Sequence, residues 1–232
     1  MKGVRIMKRF VTLAVLSLAL VATTASAALR SPQVPVFGGG LQGYLNSVGE
    51  SINVATDQNA AQRWVSTVST NSVFTIQVEL GANAANNTLG LYNASSVSPS
   101  LYQVFPGAAT AGWFAVASFR SSPTRVVVNL FDDNAASQGS TVYLGADRND
   151  FGFYISGPNG TWYTQDSRNA GAAQALTFAG TGINSGQWWL CFEDTTLDGT
   201  TQDYADAVLF LESVNPTPVS KSSWGELKRR FR

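Results

Sequence analysis

The chain has 232 residues, a formal net charge of zero, one cysteine and no histidine. The lack of histidine excludes Ser-His-Asp and Cys-His catalysis and the usual zinc sites, and one thiol cannot close an internal disulfide. The zero charge hides an asymmetry, because residues 28–214 carry 6 basic and 14 acidic side chains, a net of −8. A domain this acidic repels phosphate backbones, which argues against a nucleic-acid partner and favours cations.

At the N-terminus, Lys2, Arg5, Lys8 and Arg9 precede an apolar run from Phe10 to Ala22, and Ala25-Ser26-Ala27 follows as a small-x-small site. This order predicts a cleavable signal peptide over residues 1–27, hence export, with a bacterial look. The run of 13 residues is short of the ~20 that a spanning helix needs. No later stretch is long and apolar enough, so no transmembrane span is expected. The remaining 205 residues suit one β domain, placed at 28–214.

Leu41, Tyr44, Leu45 and Val48 fall at i, i+3, i+4 and i+7, which predicts a short helix over 41–48 packed on one end of the domain. Phe74 to Leu80 then alternates at period two, as a half-buried strand does. Further strands are predicted at 88–92, 113–119, 125–130, 141–144, 151–155, 174–178, 187–193 and 205–212. Turn clusters such as Asp132-Asp133-Asn134, Gly157-Pro158-Asn159-Gly160 and Leu197-Asp198-Gly199 separate them. Many short strands at even spacing predict an all-β, antiparallel β-sandwich of jelly-roll-like type. Trp188 and Trp189 are adjacent on one strand, so one must face away from the core towards a covering element, a partner or solvent. Cys191 lies in the same apolar run and reads as a small buried hydrophobe.

The densest acidic cluster comprises Glu193, Asp194, Asp198, Asp203 and Asp206. If strands 187–193 and 205–212 pair as a hairpin, these carboxylates converge on its mouth. Crowded like charges raise one another's pKa unless a cation neutralises them. Ca²⁺ is the natural candidate, since it takes 6–8 oxygen ligands from carboxylates, carbonyls and water. Gln202 and loop carbonyls could complete the shell. The alternative is a solvated acidic turn with local Asx hydrogen bonds. Asp147, Asn149 and Asp150, and separately Asp132 and Asp133, read as turns. Asn86-Asn87-Thr88, Asn93-Ala94-Ser95 and Asn159-Gly160-Thr161 are formal glycosylation sequons.

Past Asn215, Pro216-Thr217-Pro218 reads as a linker. Trp224, Leu227 and Phe231 then share one side of a basic amphipathic tail, so residues 215–232 form a linker and tail. The tail reads as a soluble basic extension or as a sorting or surface-docking segment.

Phe151-Gly152-Phe153-Tyr154, Trp162-Tyr163, Gln174-Ala175-Leu176, Phe192-Glu193-Asp194, Leu197-Asp198-Gly199 and Asp203-Tyr204-Ala205-Asp206 follow in order. Together with Asn86 to Tyr92, their order resembles a family of secreted bacterial domains catalogued as domain of unknown function 4114, over roughly residues 74–214. Ala205 stands where the family carries Asn, and Gly199 stands alone where the family often has several glycines. The resemblance implies a β-sandwich module of exported or surface-displayed proteins, with either calcium or an enzymatic role at its Glu and Asp residues.

Three functions follow as expectations. The first is a non-enzymatic secreted or cell-surface module, stabilised by Ca²⁺, with an adhesive or extracellular-matrix role and surface polysaccharide or matrix components as partners. The second is a carbohydrate-binding module stacking sugars on Tyr102, Trp113, Trp162 and Tyr163. The third is a glycoside hydrolase with Glu193 as acid and Asp206 as partner carboxylate.

Overall fold

The computed structural model describes residues 27–67, 71–79, 81 and 83–217. The segment up to residue 26, which holds most of the predicted signal peptide, and the tail from residue 218 lie outside the described residues. In chain order, α1 (Gly40–Ser47) is followed by β1 (Trp64–Ser66), β2 (Ser72–Val78), β3 (Thr88–Asn93), β4 (Leu101–Phe105) and β5 (Phe114–Ser121). Then come β6 (Thr124–Phe131), β7 (Ser137–Leu144), β8 (Phe151–Gly157) and β9 (Gly160–Tyr163). The last strands are β10 (Ala175–Ala179), β11 (Trp188–Phe192), β12 (Ala207–Glu212) and β13 (Val214–Pro216).

These strands form two antiparallel sheets, so the predicted all-β, sandwich-like fold is what the chain adopts. One sheet runs β10-β11-β12-β2-β5-β6-β7, and the other runs β13-β1-β8-β3-β4 with β9 paired to β8. The period-two alternation explains the packing. Phe74 and Ile76 of β2, Leu190 of β11 and Leu209 of β12 meet Trp64, Leu89, Leu91 and Phe153 of the other sheet in one buried cluster. Edge-to-face aromatic pairs join the layers, Phe74 to Phe153 at 5.2 Å and Trp64 to Trp188 at 5.6 Å.

A second apolar cluster lies on the outer face of the seven-stranded sheet. Leu176, Phe178, Trp189, Cys191 and Val208 point outward there, and Leu41 and Leu45 of α1 cover them. Trp188 thus faces the inter-sheet core while Trp189 faces the helix. The predicted helix is present, but it packs on a sheet face rather than on an end of the sandwich. Alternation along β10, β11 and β12 leaves an apolar outer face that needs a lid, and α1 supplies it.

Two further expectations change. Asn215 and Pro216 are not linker, since Val214–Pro216 pairs with β1 and the Thr217 N–H donates to the Arg63 carbonyl at 2.8 Å. Proline is tolerated because β13 is an edge strand, where one ladder hydrogen bond is dispensable. The strands β1, β4 and β9 were not predicted, being short segments that borrow their order from neighbours.

Candidate metal centre

β11 and β12 pair as a hairpin, with Phe192 opposite Ala207. The residues immediately outside this pair are Glu193 and Asp206, so the pairing register itself brings two carboxylates together. Asp194 follows, and its N–H donates to Asp206 Oδ2 at 2.8 Å. Ligand atoms of Glu193, Asp194 and Asp206 all lie within 4.8 Å of one another, and these three could hold a metal ion.

The surroundings fix each carboxylate. Glu193 is buried, and its Oε1 accepts from the Thr195 hydroxyl at 2.6 Å while Oε2 accepts from the Asp203 N–H at 3.2 Å. Tyr204 makes the turn back towards β12 with a left-handed backbone, φ 57°. Its buried ring is anchored by a hydroxyl that donates to the Ala173 carbonyl at 2.8 Å. Asp194 is also buried, accepting from Asn87 Nδ2 at 2.6 Å and more loosely from Asn83 Nδ2 at 3.4 Å. The Trp162 indole N–H donates to the Asp194 carbonyl at 3.0 Å. Gly81 lies against Asp206, where a Cβ would come within 2.4 Å of Oδ1.

Arg30 pairs with Asp166 and Arg63 with Asp150, so neither of these arginines serves the cluster. Burial pushes the Asp206 carboxyl up to about 7, aided by the charges of Glu193 and Asp194 and opposed by the Asp194 N–H. Without a cation the trio therefore relieves its repulsion by holding a proton on Asp206 near neutral pH. The donor set is entirely oxygen, which suits a hard cation rather than a soft one.

Two of the five predicted ligands are used elsewhere. Asp198 is exposed and accepts from the N–H groups of Thr200 and Thr201, and these local bonds hold its carboxyl down at about 2. Asp203 accepts from the Ala205 N–H at 2.9 Å, closing an Asx turn. Gln202 Oε1 accepts from the Gly199 N–H, so it too serves the loop. Asn83, Asn87 and Trp162, which hold Asp194, were not predicted as part of the site. Their separation from it in sequence leaves no local signal.

Asp132 and Asp147 serve turns, as expected, whereas Asp150, also read as a turn residue, is an ion-pair tether. Asp132 accepts from the N–H groups of Asn134 and Ala136, and Asp147 accepts from that of Asn149. Asp150 forms a two-pronged pair with Arg63. In the sequon Asn86-Asn87-Thr88 the acceptor position, Asn86, is exposed, and the buried Asn87 is its middle residue. The four aromatics proposed for sugar stacking do not stand free. Tyr102 is buried, and Trp113, Trp162 and Tyr163 are partly buried against apolar clusters. No family model, no curated protein and no solved structure matches the chain.

Proposed function

We propose that the protein is an exported, non-enzymatic β-sandwich module whose Glu193, Asp194 and Asp206 hold a structural Ca²⁺, with an adhesive or matrix role outside the cell. The observation that carries the metal reading is the acidic trio, with three carboxylate oxygens within 4.8 Å and two of the three residues buried. The ion would supply charge neutralisation and tie the ends of β11 and β12 to the segment carrying Asn83 and Asn87. Water and loop carbonyls would complete an oxygen shell. The signal sequence, the acidic surface and the resemblance of the Phe192 to Asp206 stretch support the extracellular setting, where free calcium is abundant. Surface polysaccharide or matrix components are the proposed partners.

The hydrolase reading has less support. Glu193 is 6% exposed and both its oxygens already accept hydrogen bonds within the hairpin, which suits a structural carboxylate better than an acid presented to a sugar polymer.

Thermal unfolding in EDTA, then with added Ca²⁺ or Mg²⁺, tests the proposal. A ligand that binds only the folded state at 100 times its Kd stabilises by about 2.7 kcal/mol. For a domain of this size that raises the midpoint by roughly 5–10 °C. No response to Ca²⁺, or an equal response in Asp206→Asn, would sink the metal reading.

A further inference from the structure

We propose that β7 is a self-association edge, through which two copies of this chain pair antiparallel about a two-fold axis at Val142. The edges of the two sheets are not alike. β10 is covered, because the Asn59 N–H donates to the Thr177 carbonyl at 2.8 Å and bridges link Leu29, Asn59 and Thr177. β13 has three residues and ends in Pro216, β9 has four residues, and β4 has five. These are the usual ways of blunting an edge. β7 is eight residues long, and apart from the half-buried Tyr143 every residue in it is exposed. It pairs with β6 on one side, and among the described residues no other backbone hydrogen bond uses residues 137–144.

The edge also lacks the charges that keep strands apart. Residues 137–145 (Ser-Gln-Gly-Ser-Thr-Val-Tyr-Leu-Gly) carry none, within a domain whose net charge is −8. A second copy of so acidic a domain can approach here without meeting a carboxylate on the strand itself. Antiparallel pairing also turns the acidic β6–β7 turn, Asp132 and Asp133, away from the same turn of the second copy. An uncharged edge on an acidic domain therefore suits a second copy in this orientation, which keeps the two acidic turns apart.

Register follows from the strand's own geometry. The pairing with β6 is irregular between Leu130 and Phe131, and Gly139 has φ 123°, which leaves Ser140 to Leu144 as the regular stretch. Its centre is Val142. On the outer face Val142 and Leu144 are 55% and 69% exposed, and Val142 stands beside Val127 of β6. A two-fold axis at Val142 sets it against its own counterpart and sets Leu144 against Ser140. This is a self-complementary, closed contact, so it gives dimers rather than fibres.

The full chain, processed on export, would be examined by sedimentation equilibrium together with Val142→Lys. This change is made on an exposed side chain and opposes like charges across the axis. A dimer is expected for the wild type, with at least a tenfold weaker association for Val142→Lys and an unchanged fold by circular dichroism. Val142→Cys provides an independent readout. Directly opposed antiparallel residues have Cα atoms about 4.5–5.5 Å apart, within disulfide reach. Mild oxidation should therefore crosslink Val142→Cys but not Leu144→Cys. A wild type that stays monomeric at high concentration, a dimer indifferent to Val142→Lys, or equal crosslinking of both cysteine variants would overturn the proposal. An edge that takes a foreign strand instead would show up as that monomer.

Discussion

The Asp194 N–H donates to Asp206 Oδ2 across the hairpin mouth at 2.8 Å, while the Asp194 side chain turns the other way to Asn87. One residue thus binds both flanks of the acidic trio, and the trio is held in place by the fold rather than by chance proximity.

That placement distinguishes ligands from bystanders. Asp194→Asn and Asp206→Asn should each reduce the Ca²⁺-dependent rise in unfolding midpoint by more than half. Asp198→Asn should leave the rise intact, because Asp198 serves its own turn with Thr200 and Thr201. Calorimetric titration of the three variants gives the comparison directly. Equal loss in Asp198→Asn would move the site into the loop.

Without metal, stability should depend on pH with a definite sign. Burial pushes both Asp206 and Glu79 up to about 7, from ordinary values of 3.8 and 4.5. Their folded forms keep protons that the unfolded chain releases. This contribution is complete below the ordinary values and is lost as pH rises through about 7. In EDTA the unfolding midpoint should therefore fall from pH 5 to pH 8. Saturating Ca²⁺ should flatten the Asp206 part of that slope, since the cation replaces the proton, and Glu79→Gln should remove the rest.

Much of this arrangement was legible in the sequence. Alternation in Trp188 to Phe192 assigned opposite faces to the two tryptophans, and the run of acids at both strand ends located the hairpin mouth. Asp198 and Asp203 could not be separated in the sequence from the three clustered carboxylates, because an Asp in a turn readily accepts a backbone N–H two residues on. Whether its carboxylate goes to that N–H or to a shared site depends on the loop's path, which single-residue patterns do not encode. Asn87 was out of reach for another reason. It lies 107 positions from Asp194 in the chain and meets it only because β3 and the β11–β12 hairpin come together in the sandwich. The helix was found but misplaced, since the apolar outer face of β10 to β12 becomes evident only when the strands are side by side.

Cys191 tests the two-sided burial of β11. Its thiol has no exposure, and burial pushes its pKa far up, so the reactive thiolate is suppressed. A thiol reagent should not label the native chain over hours and should label it promptly in denaturant. Leu41→Ala, which thins the lid over this cluster, should speed labelling and cost about 2–5 kcal/mol.

Gly152 tests the packing of the smaller sheet. A Cβ there would come within 2.3 Å of the Tyr92 ring, which is fully buried. Tyr92 also lies edge-on to Tyr163 at 5.0 Å with the Arg168 guanidinium 5.0 Å from its ring centre, so it has little room to withdraw. Gly152→Ala should destabilise by about 1–3 kcal/mol, the usual cost of overpacking. Denaturant unfolding would show this as a lower midpoint at unchanged slope.

Glu50 secures α1 to the sheet it covers. It is 5% exposed and follows the helix directly, with its N–H donating to the Leu45 carbonyl at 3.0 Å. Its carboxylate accepts from the Thr181 N–H and hydroxyl, each at 2.6 Å, from Asn184 Nδ2 at 2.7 Å and from the Trp189 indole at 2.8 Å. Burial pushes the Glu50 pKa up, but these four donors outweigh it and hold the group below its ordinary 4.5. The stability it lends is therefore present above pH 4.5 and is lost as pH falls through the folded value. Removing the carboxylate leaves buried donors without an acceptor, so Glu50→Ala should cost about 3 kcal/mol. That corresponds to a fall of roughly 6–12 °C in midpoint at neutral pH. The deficit relative to wild type should shrink as pH falls from 4.5 through the folded value, where wild-type Glu50 itself takes up a proton. A deficit that stayed constant from pH 7 to pH 3 would show that the side chain acts through packing and not through its charge.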